Sequence, residues 1–304
     1  MRHWGLFTNS FGKMLHPVLW IFGLVVVLGE SAPGLIFLFN TQWLRSISQT
    51  TTPQAMLTSL TPLLGTLIVL GAIGFVFATF GDAALIHLIN KLEMRERVTV
   101  GMGLDGSAKI FQLLVVRVLL ILPNLLVVIL AAALVSNQFA RITPGTRVNA
   151  LSGLLGSFCG IVAIGLLVSL LTSALSVGAE RAIVIEQISI GKALSLSGQL
   201  LATQLGNFIM IGLIFLGLSF IIGVLFSCVG QPLLGLMFRT ASPTAMLSGG
   251  LFTNPILLLS ISFGLIENLL ATILVTSVWT LAYREWRADR LPALPRNDFD
   301  DQMA

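Results

Sequence analysis

Six apolar runs, each of eighteen or more residues, constrain this chain more than any other feature of its sequence. A helix of about 20 apolar residues crosses a hydrocarbon core of about 30 Å. The chain is 56% hydrophobic and 10% charged, whereas ordinary soluble domains contain about 25% charged residues. Because a soluble fold could not cover so much apolar surface, the sequence predicts an integral membrane protein in contact with the lipid bilayer.

The predicted fold is all-α, with six transmembrane helices and interfacial helices on the cytoplasmic face. An amphipathic segment before Pro17 places Trp4, Phe7, Phe11 and Met14 or Leu15 on one face, and a polar-sided segment follows residue 189. We expect a single six-helix domain over residues 1–290 and a flexible cytoplasmic tail over residues 291–304, where two prolines lie among polar residues. The predicted spans are approximately 17–39, 57–89, 110–135, 151–177, 208–229 and 255–283.

Lysine and arginine are distributed unequally between the two sides that these spans define. Thirteen of the 17 fall on the side of the N-terminus, and the other four are Arg45, Arg141, Arg147 and Arg239. Short loops rich in Lys and Arg stay in the cytoplasm. We therefore expect a multi-pass protein of the bacterial cytoplasmic (inner) membrane with both termini in the cytoplasm. Because the basic residues are scattered at helix ends, the net charge of +4 does not indicate a nucleic-acid partner.

Two charged segments, here called the first elbow (91–107) and the second elbow (181–197), are similar in sequence. They are identical at four of seventeen aligned positions, among them Glu96 with Glu186 and Ser107 with Ser197. Each lies between two apolar runs and on the same predicted side of the membrane. The pattern predicts an internal repeat, about 62–135 and 152–229, in which two helix-elbow-helix units run in parallel.

Three parts of the sequence are similar to known proteins: HPVLWIFGL (16–24), the elbow pattern Ser/Thr-Val/Ile-Gly-x-Gly/Ala-Leu, and the segment 182–197. Through these residues the chain resembles a group of bacterial six-helix membrane families. It looks like the membrane domain found beside glycerophosphodiester phosphodiesterases and like the YciC-type families. The resemblance implies a fold only, because the phosphodiesterase activity of that group belongs to a separate soluble domain. No catalytic residue is carried over.

Polar residues inside the spans are the candidates for function, since a charge at the centre of a span costs about 2.5–3.5 kcal/mol on insertion scales. Glu267, beside Asn268, lies nearest the middle of its helix, and Glu30 lies in the outer half of the first span. Glu267 either binds a proton or cation, or is kept neutral or hydrogen-bonded to a neighbouring helix. Glu30 either lines a route or reaches the headgroups, Arg141 or Arg147. We favour the structural alternative for both carboxylates.

Charged residues near the inner interface are predicted to form structural pairs. Asp82 and Arg117, on adjacent helices of one repeat, are expected to form an ion pair. In the elbows, Glu96 and Glu186 each follow a basic residue by five positions. We expect them to brace the elbows, either by pairing with Lys91 and Arg181 or by capping the helix that follows.

The sequence contains no motif for a metal, a cofactor or catalysis. His3, His16 and His87 have no neighbours at ligand spacing, and no phosphate loop, Ser-His-Asp arrangement or HExxH motif occurs. An intramembrane lipid-modifying enzyme would need a larger cluster at one interface than Asp82, His87 and Glu93. We therefore expect a non-enzymatic accessory, scaffold or assembly subunit bound to other membrane proteins. The alternative is a transporter or permease for a lipid-like or amphipathic solute, with Glu267, Glu30 and Asn268 lining its route.

Overall fold

A computed structural model describes residues 2–39, 53–140, 147–240 and 255–288. Within these ranges the chain is almost entirely helical and has no strand, so the prediction of an all-α fold is confirmed. The predicted tail over 291–304 lies outside the described residues. The helices are α1 (Arg2–Met14), α2 (Pro17–Phe39), α3 (Pro53–Glu93), α4 (Val100–Gly106), α5 (Ile110–Ala140), α6 (Arg147–Glu186), α7 (Ile190–Thr240) and α8 (Pro255–Ala288), with a 3₁₀ turn over Ser107–Lys109 between α4 and α5.

Six of the described helices are long and apolar enough to cross a membrane, which confirms the predicted number of spans. The bounds of α2 coincide with the predicted span. In contrast, α3 and α6 extend beyond their predicted spans into polar residues at both ends, and α5 does so at its C-terminal end. A helix satisfies its own backbone hydrogen bonds, so it need not end where hydropathy falls. The polar-sided segment after residue 189 and the fifth span are two helical parts of α7 that meet at a kink. The backbone of α7 departs from helical geometry at Gln204 (φ −116°, ψ 18°), between the two parts.

The chain forms two compact units, unit 1 (Met1–Ile110 with Ile209–Ala304) and unit 2 (Phe111–Phe208). Unit 1 holds α1 to α4, α8 and the span part of α7, and unit 2 holds most of α5, α6 and the first part of α7. Whether the two units make up the single domain predicted for residues 1–290 stays a prediction.

In unit 1, α2 and α3 approach each other until their backbones touch. A Cβ placed on Gly29 would lie 2.6 Å from both the Ala78 nitrogen and the Gly74 carbonyl oxygen, and one on Gly81 would lie 2.9 Å from the Phe22 carbonyl oxygen. Small residues permit this close packing in membranes, where van der Waals contact replaces the hydrophobic effect between helices. These glycines therefore set the distance between α2 and α3.

The remaining core of unit 1 lies where α3 and α8 end. Leu85, Leu88 and Ile89 of α3 and Ile273 and Val278 of α8 are fully buried there. Of the predicted apolar face, Phe7 and Met14 of α1 are buried, whereas Phe11 of α1 and Leu15, which follows the helix, are exposed. Phe7 packs on Phe215 of α7 with ring centroids 5.2 Å apart. Thus α1 uses one edge of its apolar face to pack against the protein.

Candidate functional site

An ion pair joins α5 to α6 in unit 2. Arg117 donates from Nε to Glu180 Oε1 at 2.8 Å and from Nη2 to Glu180 Oε2 at 3.0 Å. The two side chains are 16% and 10% exposed. A two-armed guanidinium–carboxylate contact satisfies both charges with defined geometry. The pair therefore fixes the rotation of α5 relative to α6 and the position of one helix along the axis of the other.

A second polar contact joins the same two helices about two turns further along α5. Asn124 donates from Nδ2 to Thr172 Oγ1 at 3.0 Å, and Thr172 donates in turn to the carbonyl oxygen of Val168 at 2.9 Å. Still further along, a Cβ on Gly165 would lie 3.5 Å from the Val127 side chain, an ordinary van der Waals contact. One stripe of α5 and α6 thus carries an ion pair, a hydrogen bond and a small-residue contact in succession.

The sequence predicted Asp82 as the partner of Arg117. In the structure the Arg117 guanidinium forms an ion pair with Glu180, which the sequence did not predict. Asp82 is half-buried and has an interaction of its own. Because Asp82 belongs to unit 1 and Arg117 to unit 2, a contact between them stays a prediction. Glu180 was not predicted as the partner because it lies just beyond the predicted end of the fourth span. The sequence signal for it is a carboxylate near the end of a neighbouring span, on the same predicted side of the membrane as Arg117.

In the first elbow the chain reverses direction at Arg95, whose φ is +59°. Lys91 Nζ lies 2.9 Å from Glu96 Oε2, and the two side chains are 28% and 39% exposed. Thr99 caps α4, since its hydroxyl accepts from the Met102 amide at 3.4 Å. A Cβ on Gly106 would lie 2.5 Å from His87 Cβ. The helix after the elbow therefore packs back against the end of α3.

In the second elbow the reversal occurs at Gln187, whose φ is +55°. Ser197 donates to the carbonyl oxygen of Leu175 at 2.7 Å and presses directly on Gly178. Arg181 is buried and donates from Nη1 to the carbonyl oxygen of Val177 at 2.9 Å. Glu186 is half-buried and has an interaction of its own. A pairing of Arg181 with Glu186 stays a prediction.

The candidate intramembrane site is spread over two helices. Glu267 is half-buried on α8, and no described residue forms an ion pair with it. Its neighbour Asn268 is exposed and donates to the carbonyl oxygen of Gly264 at 2.9 Å, so its amide serves its own helix. Glu30 is exposed on α2 and has an interaction of its own. Arg141, one of its predicted partners, lies outside the described residues.

A cleft of about 430 Å³ lies in unit 1 where α1 meets the ends of α3 and α8. Arg284 lines it and donates from Nη1 to the carbonyl oxygen of Asn90 at 3.1 Å. Glu93 also lines it and is paired with Lys13. The sequence did not predict this cleft, because its contacts join residues far apart in the chain: Lys13 and Glu93 are 80 positions apart, and Arg284 and Asn90 are 194 apart. The described lining residues are Gly5, Leu6, Asn9, Glu93, Leu281, Arg284, Glu285 and Ala288.

No protein-family model, curated protein or solved structure matches this chain. The resemblance to bacterial six-helix membrane families therefore stays a prediction.

Proposed function

We propose that this protein is a non-enzymatic accessory, scaffold or assembly subunit of a larger membrane complex. The observation that carries the proposal is the division of α5 and α6 into two surfaces. Their polar groups face each other in the Arg117–Glu180 and Asn124–Thr172 contacts, and their outer surfaces are apolar and exposed. In such a helix pair the polar side chains stabilise the contact between the two helices, and the apolar outer surface is available to other helices or to lipid.

The outer surface of α6 is the part best suited to protein contact. Leu166 and Leu170 are 61% and 69% exposed. Gly160 is exposed, with nothing within 4 Å of the position that a Cβ would take. Glycines on a membrane helix let a second helix approach closely. Gly153 and Gly156 precede Gly160 on α6, and their surroundings lie outside the described residues. We place the partner contact on this face.

The proposal includes the internal repeat and the orientation in the membrane. Two features support the repeat: α4 and α7 begin at aligned residues, Val100 and Ile190, and the first turn of each is closed by aligned bonds, from Gly103 N to Thr99 O and from Ala193 N to Ser189 O. The distribution of lysine and arginine supports a bacterial inner membrane location with both termini in the cytoplasm.

The transporter alternative is favoured by one observation. Glu267 lies within a candidate span and is half-buried without an ion-pair partner among the described residues. A carboxylate at such a position is costly unless it is protonated, hydrated or paired. In a transporter it would face a route for solute, and in an accessory subunit it would face a polar group of the partner.

The test is purification of the tagged protein from its native membrane in gentle detergent, followed by mass spectrometry of the proteins that remain bound. The informative variant is Gly160→Leu, which places a bulky side chain in open space on α6. Gly217→Leu is the matched control, because Gly217 is also exposed and open, on α7. Glu267→Gln tests the carboxylate in the same preparation.

We expect a stoichiometric set of membrane proteins that is retained by wild type and Gly217→Leu and is lost from Gly160→Leu. A protein that is purified alone, or partners that are retained equally by Gly160→Leu, would contradict the proposed contact. If Glu267→Gln loses the partners and Gly160→Leu keeps them, the partner contact lies on α8 and not on α6. Solute uptake into proteoliposomes that Glu267→Gln abolishes would establish the transporter.

A further inference from the structure

The cleft between α1, α3 and α8 lies at the ends of two candidate membrane spans. Glu93 and Ala288, which line it, are the last residues of their candidate spans. Its volume of about 430 Å³ falls within the range of about 300–1,000 Å³ that is usual for small-ligand sites. Leu6 and Leu281 provide apolar wall beside the charged residues. A ligand that is polar at one end and apolar at the other matches this lining.

Arg284 is the cation among the described residues that line the cleft, and a hydrogen bond holds its side chain in place. Its bond from Nη1 to the carbonyl oxygen of Asn90 fixes the guanidinium, and no described residue forms an ion pair with it. A guanidinium has five N–H donors in a rigid fork, so one bond to a backbone carbonyl leaves most of them for a ligand. Phosphate is the anion that this fork geometry suits at a membrane surface.

The carboxylates of the cleft indicate a cation on the same ligand. Glu93 and Glu285 both line the cleft, and Lys13 pairs with Glu93. Among the described lining residues, Arg284 is a cation and Glu93 and Glu285 are carboxylates, so the lining does not favour a strongly anionic headgroup. Glu93 contacts Lys13 and Glu285 has an interaction of its own, but a carboxylate has about four acceptor positions and can accept further hydrogen bonds. None of the described lining residues is aromatic, and aromatic cages are what quaternary ammonium groups require.

We propose that this cleft binds the phosphoethanolamine group, with Arg284 holding the phosphate and Glu93 and Glu285 holding the primary ammonium. The group has two sources, the headgroup of an aminophospholipid and the free phosphoester in the aqueous phase. The apolar wall at Leu6 and Leu281 favours the lipid. This site is separate from the partner contact on α6, so either proposal can fail without the other.

The experiment measures the binding of short-chain phosphatidylethanolamine to the full-length protein in detergent. The readout is the melting temperature of the protein as a function of lipid concentration. Short-chain phosphatidylcholine, phosphatidylglycerol and free phosphoethanolamine are the comparison ligands. Gly5→Leu obstructs the cleft, and Gly12→Leu is the matched control, because both glycines lie on α1 with open space around them but only Gly5 lines the cleft. Arg284→Gln removes the charge.

We expect saturable binding of phosphatidylethanolamine. It should be about tenfold or more weaker in Arg284→Gln, which loses charged hydrogen bonds to the phosphate, and in Gly5→Leu, whose side chain obstructs the cleft. Gly12→Leu should bind as wild type does. Equal affinity for free phosphoethanolamine would identify a soluble ligand of the same chemistry. Equal or tighter binding of phosphatidylcholine or phosphatidylglycerol, or unchanged binding in Gly5→Leu, would overturn the proposal. Because Gly5→Leu leaves every charge in place, it tests the site even if Arg284→Gln does not fold.

Discussion

Removal of one member of the Arg117–Glu180 pair should destabilise the protein more than the neutralisation of an exposed charged residue does. Glu180→Gln keeps the size of the side chain and removes the carboxylate to which Arg117 donates two hydrogen bonds. Arg117 is the eighth residue of α5, about 10 Å from its start at 1.5 Å per residue, so its side chain lies inside a candidate span. The guanidinium can neither be neutralised at ordinary pH nor easily reach water from this position.

The expected cost follows from burial. The side chains of Arg117 and Glu180 are 16% and 10% exposed, and breaking a buried ion pair by removing one partner costs about 3–5 kcal/mol. This corresponds to a change of about a hundredfold to several thousandfold in the unfolding equilibrium. The matched control is Glu96→Gln. Its partner Lys91 and Glu96 itself are 28% and 39% exposed, and exposed pairs contribute about 0.2–1 kcal/mol.

The assay is equilibrium unfolding of the purified protein in mixed micelles, with the double variant Arg117→Met/Glu180→Leu completing the comparison. We expect the double variant to lie within about 1 kcal/mol of wild type or above it, because an apolar pair of similar volume has no desolvation cost. If Glu180→Gln costs no more than Glu96→Gln, or if the double variant is as unstable as the single one, then the pair does not hold α5 against α6.

Three further variants test the helix contacts by thermal denaturation. Gly74→Ala should lose about 1–3 kcal/mol, because its Cβ would meet the backbone of α2, whereas Gly65→Ala on the same helix meets nothing and should not lose stability. Gly178→Ala should lose a similar amount, since its Cβ would collide with the serine hydroxyl of the second elbow, and Gly191→Ala is its open control; equal melting temperatures within either pair would refute that contact. Thr172→Val should cost about 0.6 kcal/mol, the average for a hydrogen bond between membrane helices, because the Asn124 amide also donates to the Leu120 carbonyl oxygen at 3.3 Å; a loss above about 2 kcal/mol would contradict this reasoning.

The positions of the spans were predictable because they depend on local composition. The start and end of α2 agree with the length of its apolar run. In each elbow the chain reverses direction within or directly after a charged segment. The pair of Lys91 with Glu96 lies five residues apart in the chain, so its spacing was also visible. These features depend on the order of residues over short distances.

The partners of charged residues were not predictable in the same way. Arg117 and Glu180 are 63 residues apart, and Arg284 and Asn90 are 194 apart. Which residue faces which depends on the rotation and depth of two separate helices. The backbone contact of Gly29 with Gly74 is of the same kind, because many other glycines of this chain have nothing near them.

The sequence by itself determined that this chain is a helical membrane protein with six spans. The reason is energetic and local: a backbone in hydrocarbon must satisfy its own hydrogen bonds, and each apolar run is long enough to do so as a helix. Only the tertiary structure decided that Arg117 pairs with Glu180, that α2 and α3 touch at glycines, and that Arg284 lines a cleft with Glu93. Each of these arises from packing between helices, where small differences in rotation select one partner among several that composition allows.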